Sequence, residues 1–136
     1  GAQHVSDFLQ NKNSSLKILN LSVNQFGIIG AQAVAQGLWG NSVLTHLNLS
    51  RNNLQDDGAA SVAEGLRRSS LTHLILNHNN IGSTGANRLA DVLKDHSYLK
   101  ALDLRANKIG SDGFIGLAKA LGVNSSSILK TLHLSQ

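Results

Sequence analysis

The 136-residue chain has no cysteine, no proline and no methionine, and aromatic side chains make up only 4% of it. Without cysteine there are no disulfides and no thiolate nucleophile, which leans towards a reducing, cytoplasmic setting. One tryptophan, one tyrosine and three phenylalanines are too few to fill a core with rings, so leucine and alanine must fill a thin, regular layer. No run of roughly 18 apolar residues occurs and no secretory signal is present, so the sequence offers no membrane segment. It also lacks a P-loop, a G-x-S-x-G elbow and an H-E-x-x-H pair, so neither intrinsic catalysis nor a cofactor is expected.

What is present is repetition. Leu16, Leu44, Leu71, Leu99 and Leu129 each open an L-x-x-L-x-L segment, in steps of 28, 27, 28 and 30 residues. Such a period marks a solenoid, whose units bury their apolar faces by stacking on one another. In complete copies the segment ends in Asn24, Asn52, Asn79 or Asn107, and Phe26, Leu54, Ile81 or Ile109 follows two positions later. A glycine column comes next, at Gly30, Gly58, Gly85 and Gly113. Beyond it Val34, Ala35, Leu38 and their equivalents Val62, Ala63, Leu66, then Leu89, Ala90, Leu93, then Leu117, Ala118, Leu121 recur with the spacing of one helix face.

The pattern L-x-x-L-x-L-x-x-N-x-[IL]-x-x-x-G-a-x-x-L-a-x-x-L resembles the leucine-rich repeat, and its length with a full helix looks like the ribonuclease-inhibitor-like subclass. That subclass includes ribonuclease inhibitor, the sensor ends of NOD-like receptors, tropomodulin and the Ran GTPase-activating protein. The resemblance implies an α/β fold: a right-handed horseshoe arc, with a parallel sheet on the concave face and helices on the convex face. In this register residues 1–15 read as the helix of a truncated copy, 16–43, 44–70, 71–98 and 99–128 as full copies, and 129–136 as one more strand. The start at Gly1 and the lack of polar end caps predict an excerpt of a longer chain with other domains.

Alternation along each short strand sends Leu19/Leu21, Leu47/Leu49, Leu74/Leu76, Leu102/Leu104 and Leu132/Leu134 inward. The positions between them face the concave side and form three columns. These are Ile18, His46, His73, Ala101 and Thr131; then Asn20, Asn48, Ile75, Asp103 and His133; then Ser22, Ser50, Asn77, Arg105 and Ser135. Core columns repeat closely whereas these vary, so a protein partner is expected here. The asparagine column at 24, 52, 79 and 107 is read as structural, each amide turning inward to serve backbone groups in a turn.

His46 and His73 share a column, with His78 and Asp103 not far off, but a metal site would want a further rigid ligand and is not expected. The pair does raise the possibility of pH-sensitive binding. Additional contacts are expected at Trp39, a ring at an otherwise polar position on which Arg67 is placed to stack, and at the loop residues Ile28, Ile29, Arg51 and His78. Sequons at Asn20 and Asn48 would put glycans on the concave face, which again favours an intracellular setting.

The formal charge of +4 follows helix chemistry: Asp57, Thr84 and Asp112 stand where N-caps are wanted, and Arg67, Arg68, Lys94 and Lys119 near helix ends. Since the columns gather no basic stripe interleaved with aromatics, no nucleic-acid partner is expected. The alternative function is regulation of a small GTPase, as the Ran GTPase-activating protein does with a similar solenoid. Arg51, His78 and Arg105 would then be the strand-end residues to consider.

Overall fold

A computed structural model describes residues 1–11, 14–95, 98–123 and 129–135 of the protein. Helices and strands alternate strictly: α1 Ala2–Gln10, β1 Ile18–Asn20, α2 Gly27–Leu38, β2 His46–Asn48, α3 Gln55–Leu66, β3 His73–Ile75, α4 Ser83–Leu93, β4 Ala101–Asp103, α5 Gly110–Val123 and β5 Thr131–His133. The strands form one parallel sheet in chain order, and each pairs with the next in the register of the repeat, Ile18 with His46, His46 with His73, His73 with Ala101 and Ala101 with Thr131. Each step back to the start of a parallel strand is made by a helix, as parallel pairing requires. Among the described residues no helix is long and apolar enough to cross a membrane.

The core lies between sheet and helices. Leu47, Leu74 and Leu102 from the strands, with Leu49, Leu76 and Leu104 just beyond them, meet Val34, Leu38, Val62, Leu66, Leu89, Leu93 and Leu117 from the helices, each no more than 3% exposed. Burying each such side chain contributes about 1.5–3 kcal/mol. Leu19, Leu21, Leu132 and Leu134 are only partly buried, because β1 and β5 each have a neighbouring strand on one side only. The helix column is less uniform than its spacing suggests: Ala63 and Ala90 are buried, Ala35 is half-buried, and Ala118 on the last helix is exposed.

Helix starts depart from expectation. The N-caps of α2, α3 and α4 are Phe26, Leu54 and Gly82, none with a side-chain cap, and Asp57, Thr84 and Asp112 fall inside the first turns instead. The cap of α4 comes from the preceding repeat, where Asp56 Oδ1 accepts the N–H groups of Gly82 at 2.6 Å and Gly85 at 3.0 Å. The carboxylate therefore meets the positive end of a helix other than its own.

The asparagine column stitches repeats together at the turn that leaves each strand. Asn79 Oδ1 accepts the N–H groups of Asn52 (2.9 Å) and Leu54 (3.4 Å), while its Nδ2 donates to the carbonyls of Leu49 (2.9 Å) and Leu76 (3.0 Å). Asn52 serves the N–H groups of Asn24 and Phe26 in the same way, and Asn107 those of Asn79 and Ile81. The turn these amides hold is left-handed at the preceding residue in all four copies, at Val23, Arg51, His78 and Ala106, with φ between 53° and 60°. None of these is glycine, so the ladder sustains a backbone conformation that L side chains disfavour.

Candidate functional site

With the leucines turned inward, the opposite face of the sheet carries the side chains that packing leaves over. It forms a hollow of about 380 Å³ lined from every strand, by Ile18 and Asn20 on β1, His46 and Asn48 on β2, His73 and Ile75 on β3, Ala101 and Asp103 on β4, and His133 on β5. Ile18 is 66% exposed at one edge, whereas Ile75 is half-buried in the middle.

The histidine column is more ordered than its spacing implied. The rings of His46 and His73 stack with centroids 4.0 Å apart and planes within 9°. Each is held from one residue upstream, with Thr45 Oγ1 2.8 Å from His46 Nδ1 and Thr72 Oγ1 2.9 Å from His73 Nδ1. Those threonines also donate to the carbonyls of Lys17 and Thr45, each just before the neighbouring strand. Sequence reasoning missed Thr45 and Thr72; the signal was their shared place just before the two histidines.

The middle column proves partly local in purpose. Asn20, Asn48 and Asp103 accept the backbone N–H two residues on, from Ser22 (3.0 Å), Ser50 (2.9 Å) and Arg105 (3.0 Å). Such side-chain turns help the chain leave the strand. Asp103 is also gripped by the guanidinium of Arg105, at 3.0 Å from Nε and 2.6 Å from Nη2. Burial pushes the Asp103 carboxyl up, but the side-chain and backbone hydrogen bonds from Arg105, its charge and that of His133 prevail and hold it below the usual carboxylate range.

The remaining expected contacts lie apart from the hollow. Ser22, Ser50, Asn77 and Arg105 sit where the strands end, and Thr131 is exposed at the start of β5. Asn77 Oδ1 is buried without a partner among the described residues. Arg51 and His78 are exposed on the left-handed turns. Ile28 is half-buried and Ile29 is 77% exposed, both at the start of α2. Trp39 follows α2, and Arg68 rather than Arg67 lies over its ring, at 5.2 Å. The reason is local: Arg67 is tied to Glu64 one turn back at 2.8 Å, while the Arg68 backbone already bonds Gly40 beside the tryptophan.

His73 is held below the ordinary histidine range, by burial first and then by the charges of His46 and Lys100. A group depressed in the folded state contributes stability above its unfolded pKa of about 6.5, and that contribution is lost as pH falls through the folded value. Urea midpoints are therefore expected to drop between about pH 7.5 and about pH 5, and by less in His73→Gln. An equal drop in the variant would show that the stacked ring is not responsible.

Among solved structures the fold has clear relatives. The tropomodulin C-terminal domain of Caenorhabditis elegans superimposes with a TM-score of 0.81 at 15% identity, over 99% of this chain and 83% of that one. Leiomodin-1 actin-binding site 2 does so with a TM-score of 0.84 at 18% identity, over 98% of this chain and 78% of that one. Compared with curated proteins by sequence, the chain has no match. The model of the Leucine Rich repeat family matches residues 12–35, 40–63, 69–90 and 95–118, more than half of the chain and one match for each complete copy of the unit. With this sheet, these helices and this repeat, the chain belongs to the leucine-rich repeat family.

Proposed function

We propose that this chain is a non-enzymatic module that holds a protein partner on the concave, strand-lined face. The observation that carries the reading is the hollow itself: all five strands contribute to it, its side chains differ from copy to copy, and Ile75 keeps an apolar group in its floor that the core does not need. The related fold of leiomodin-1, an actin-binding site by name, supports protein binding by this architecture. Strand steps of 27 and 28 residues with helices of 11 to 14 support the ribonuclease-inhibitor-like subclass. A cytoplasmic setting goes with this reading, because glycans on Asn20 or Asn48 would stand in the hollow and the chain has no cysteine.

The test is affinity capture from cytosolic extract with three baits. An Ile18→Gln, Ile75→Gln double variant removes the apolar groups without adding charge, and Arg88→Glu alters the exposed side of α4. The double variant is expected to lose the captured protein by about tenfold or more, as when an anchor in a desolvated centre is lost, and Arg88→Glu to retain it. The opposite pattern would move the binding surface to the helices. Accelerated phosphate release from a small GTPase would replace this reading with that of a GTPase regulator.

A further inference from the structure

The charges of this chain are segregated in a way that its overall balance conceals. Of the eight acidic residues, Asp7, Asp56, Asp57, Glu64, Asp91 and Asp112 lie in helices and Asp95 two residues after one, which leaves Asp103 as the one carboxylate of the strand segments. Against it stand five cations within three residues of a strand: Lys17, Lys100 and Lys130 where β1, β4 and β5 begin, and Arg51 and Arg105 beyond the ends of β2 and β4. Their excess over Asp103 equals the formal +4 of the whole chain.

Asp103, itself 8% exposed, offsets Arg105 alone, whose guanidinium grips it, so Lys17, Arg51, Lys100 and Lys130 are left to set the field. All five cations are exposed. Lys100 lies close enough to the hollow to act on His73. The open face is thus an apolar floor with Lys17 at its β1 edge and Lys100 and Lys130 at its β4 and β5 edge, and such a potential selects partners of opposite sign more strongly than it adds affinity.

We propose that the partner presents an acidic segment with apolar side chains at its centre. The apolar groups enter the hollow beside His46, His73 and Ile75, while the acidic groups meet Lys17, Lys100, Lys130 and Arg51. This rests on the concave face being the binding surface and adds the chemistry of what it binds. Five strands about 4.8 Å apart span roughly 19 Å, the reach of an extended segment of about six residues.

The probe is a labelled synthetic peptide with two central leucines and three aspartates or glutamates on either side, followed by fluorescence anisotropy. Its controls are the same peptide with lysines for the acids and a single-stranded oligonucleotide of similar length. The acidic peptide is expected to bind and to weaken by about tenfold or more when salt rises from about 50 to about 300 mM. Lys17→Glu, Lys100→Glu, Lys130→Glu together should weaken it by at least about tenfold, whereas Lys119→Glu on α5 should leave it within about twofold. Melting curves verify folding, and the corresponding triple glutamine variant, with a smaller loss in the same direction, serves if the glutamates unfold the chain.

No binding of the acidic peptide, equal binding of the lysine peptide, or tighter binding of the oligonucleotide overturns the proposal. If the lysine peptide binds and Ile75→Gln abolishes it, the concave face stands as the binding surface and only the charge assignment fails. If binding responds to Lys119→Glu and not to the strand-side variants, both fail.

Discussion

Replacing Asn79 by alanine is expected to lower the unfolding free energy by about 3–4 kcal/mol, whereas the same change at Asn24 should cost about 1 kcal/mol or less. Asn79 is fully buried and Asn24 is exposed, although sequence alone gives them the same role. Without the Asn79 amide, the N–H groups of Asn52 and Leu54 lose their acceptor in a turn closed to water. The carbonyls of Leu49 and Leu76 keep second donors in the Nδ2 groups of Asn52 and Asn107, so the penalty falls on the two N–H groups. Among the described residues the Asn24 amide donates only within its own repeat, to Leu21 and Ser22, and water can take its place there. A chain of this size should melt roughly 10 °C lower with Asn79→Ala. Equal losses at the two positions would mean that the ladder does not couple neighbouring repeats.

A second large effect is expected where helices touch. Alanine is ordinarily better than glycine inside a helix by about 1 kcal/mol, and Gly122→Ala on α5, with nothing among the described residues within 4 Å of the added methyl, should follow that rule. Gly65→Ala should reverse it. A Cβ at Gly65 would lie 2.8 Å from both the Cα and the carbonyl oxygen of Ala35, backbone of α2 that cannot rotate aside. Separating α3 from α2 disturbs every contact beneath them, so a net loss of about 1–3 kcal/mol is expected despite the helix preference. Denaturant unfolding of the two variants side by side checks this; stabilisation by Gly65→Ala would place the helices further apart.

What could be read in advance follows from which interactions have a period. Whether Leu74 or Leu76 is buried depends on its own place in the unit, so a simple count of leucines shows the sheet, the helices and the inner columns. Contacts between copies depend on how one unit lies on the next, which the count does not show. That is why the cap of α4 came from Asp56 across the repeat boundary rather than from Thr84, and why Arg68 rather than Arg67 reaches Trp39.

The face of the sheet shows the same division. The residues of the hollow were legible as columns, but the stacking of His46 on His73 and the threonines beneath them are relations between strands. Asn20, Asn48 and Asp103 looked like free contact residues, yet each is engaged by its own backbone two residues on. Lys17, Lys100 and Lys130 stood outside the three columns: with Thr45 and Thr72 they fill the position just before each strand, a fourth column that the alternation along the strands does not assign to the open face.

Cross-linking from defined positions decides which face of the solenoid holds the partner. A photoreactive amino acid is placed either at Ile75, in the floor of the hollow, or at Arg88, on the exposed side of α4, and irradiated in cytosolic extract. Binding on the strand-lined face predicts a discrete protein adduct from position 75 that is lost in the Ile18→Gln background, and none from position 88. An adduct from position 88 alone would contradict it.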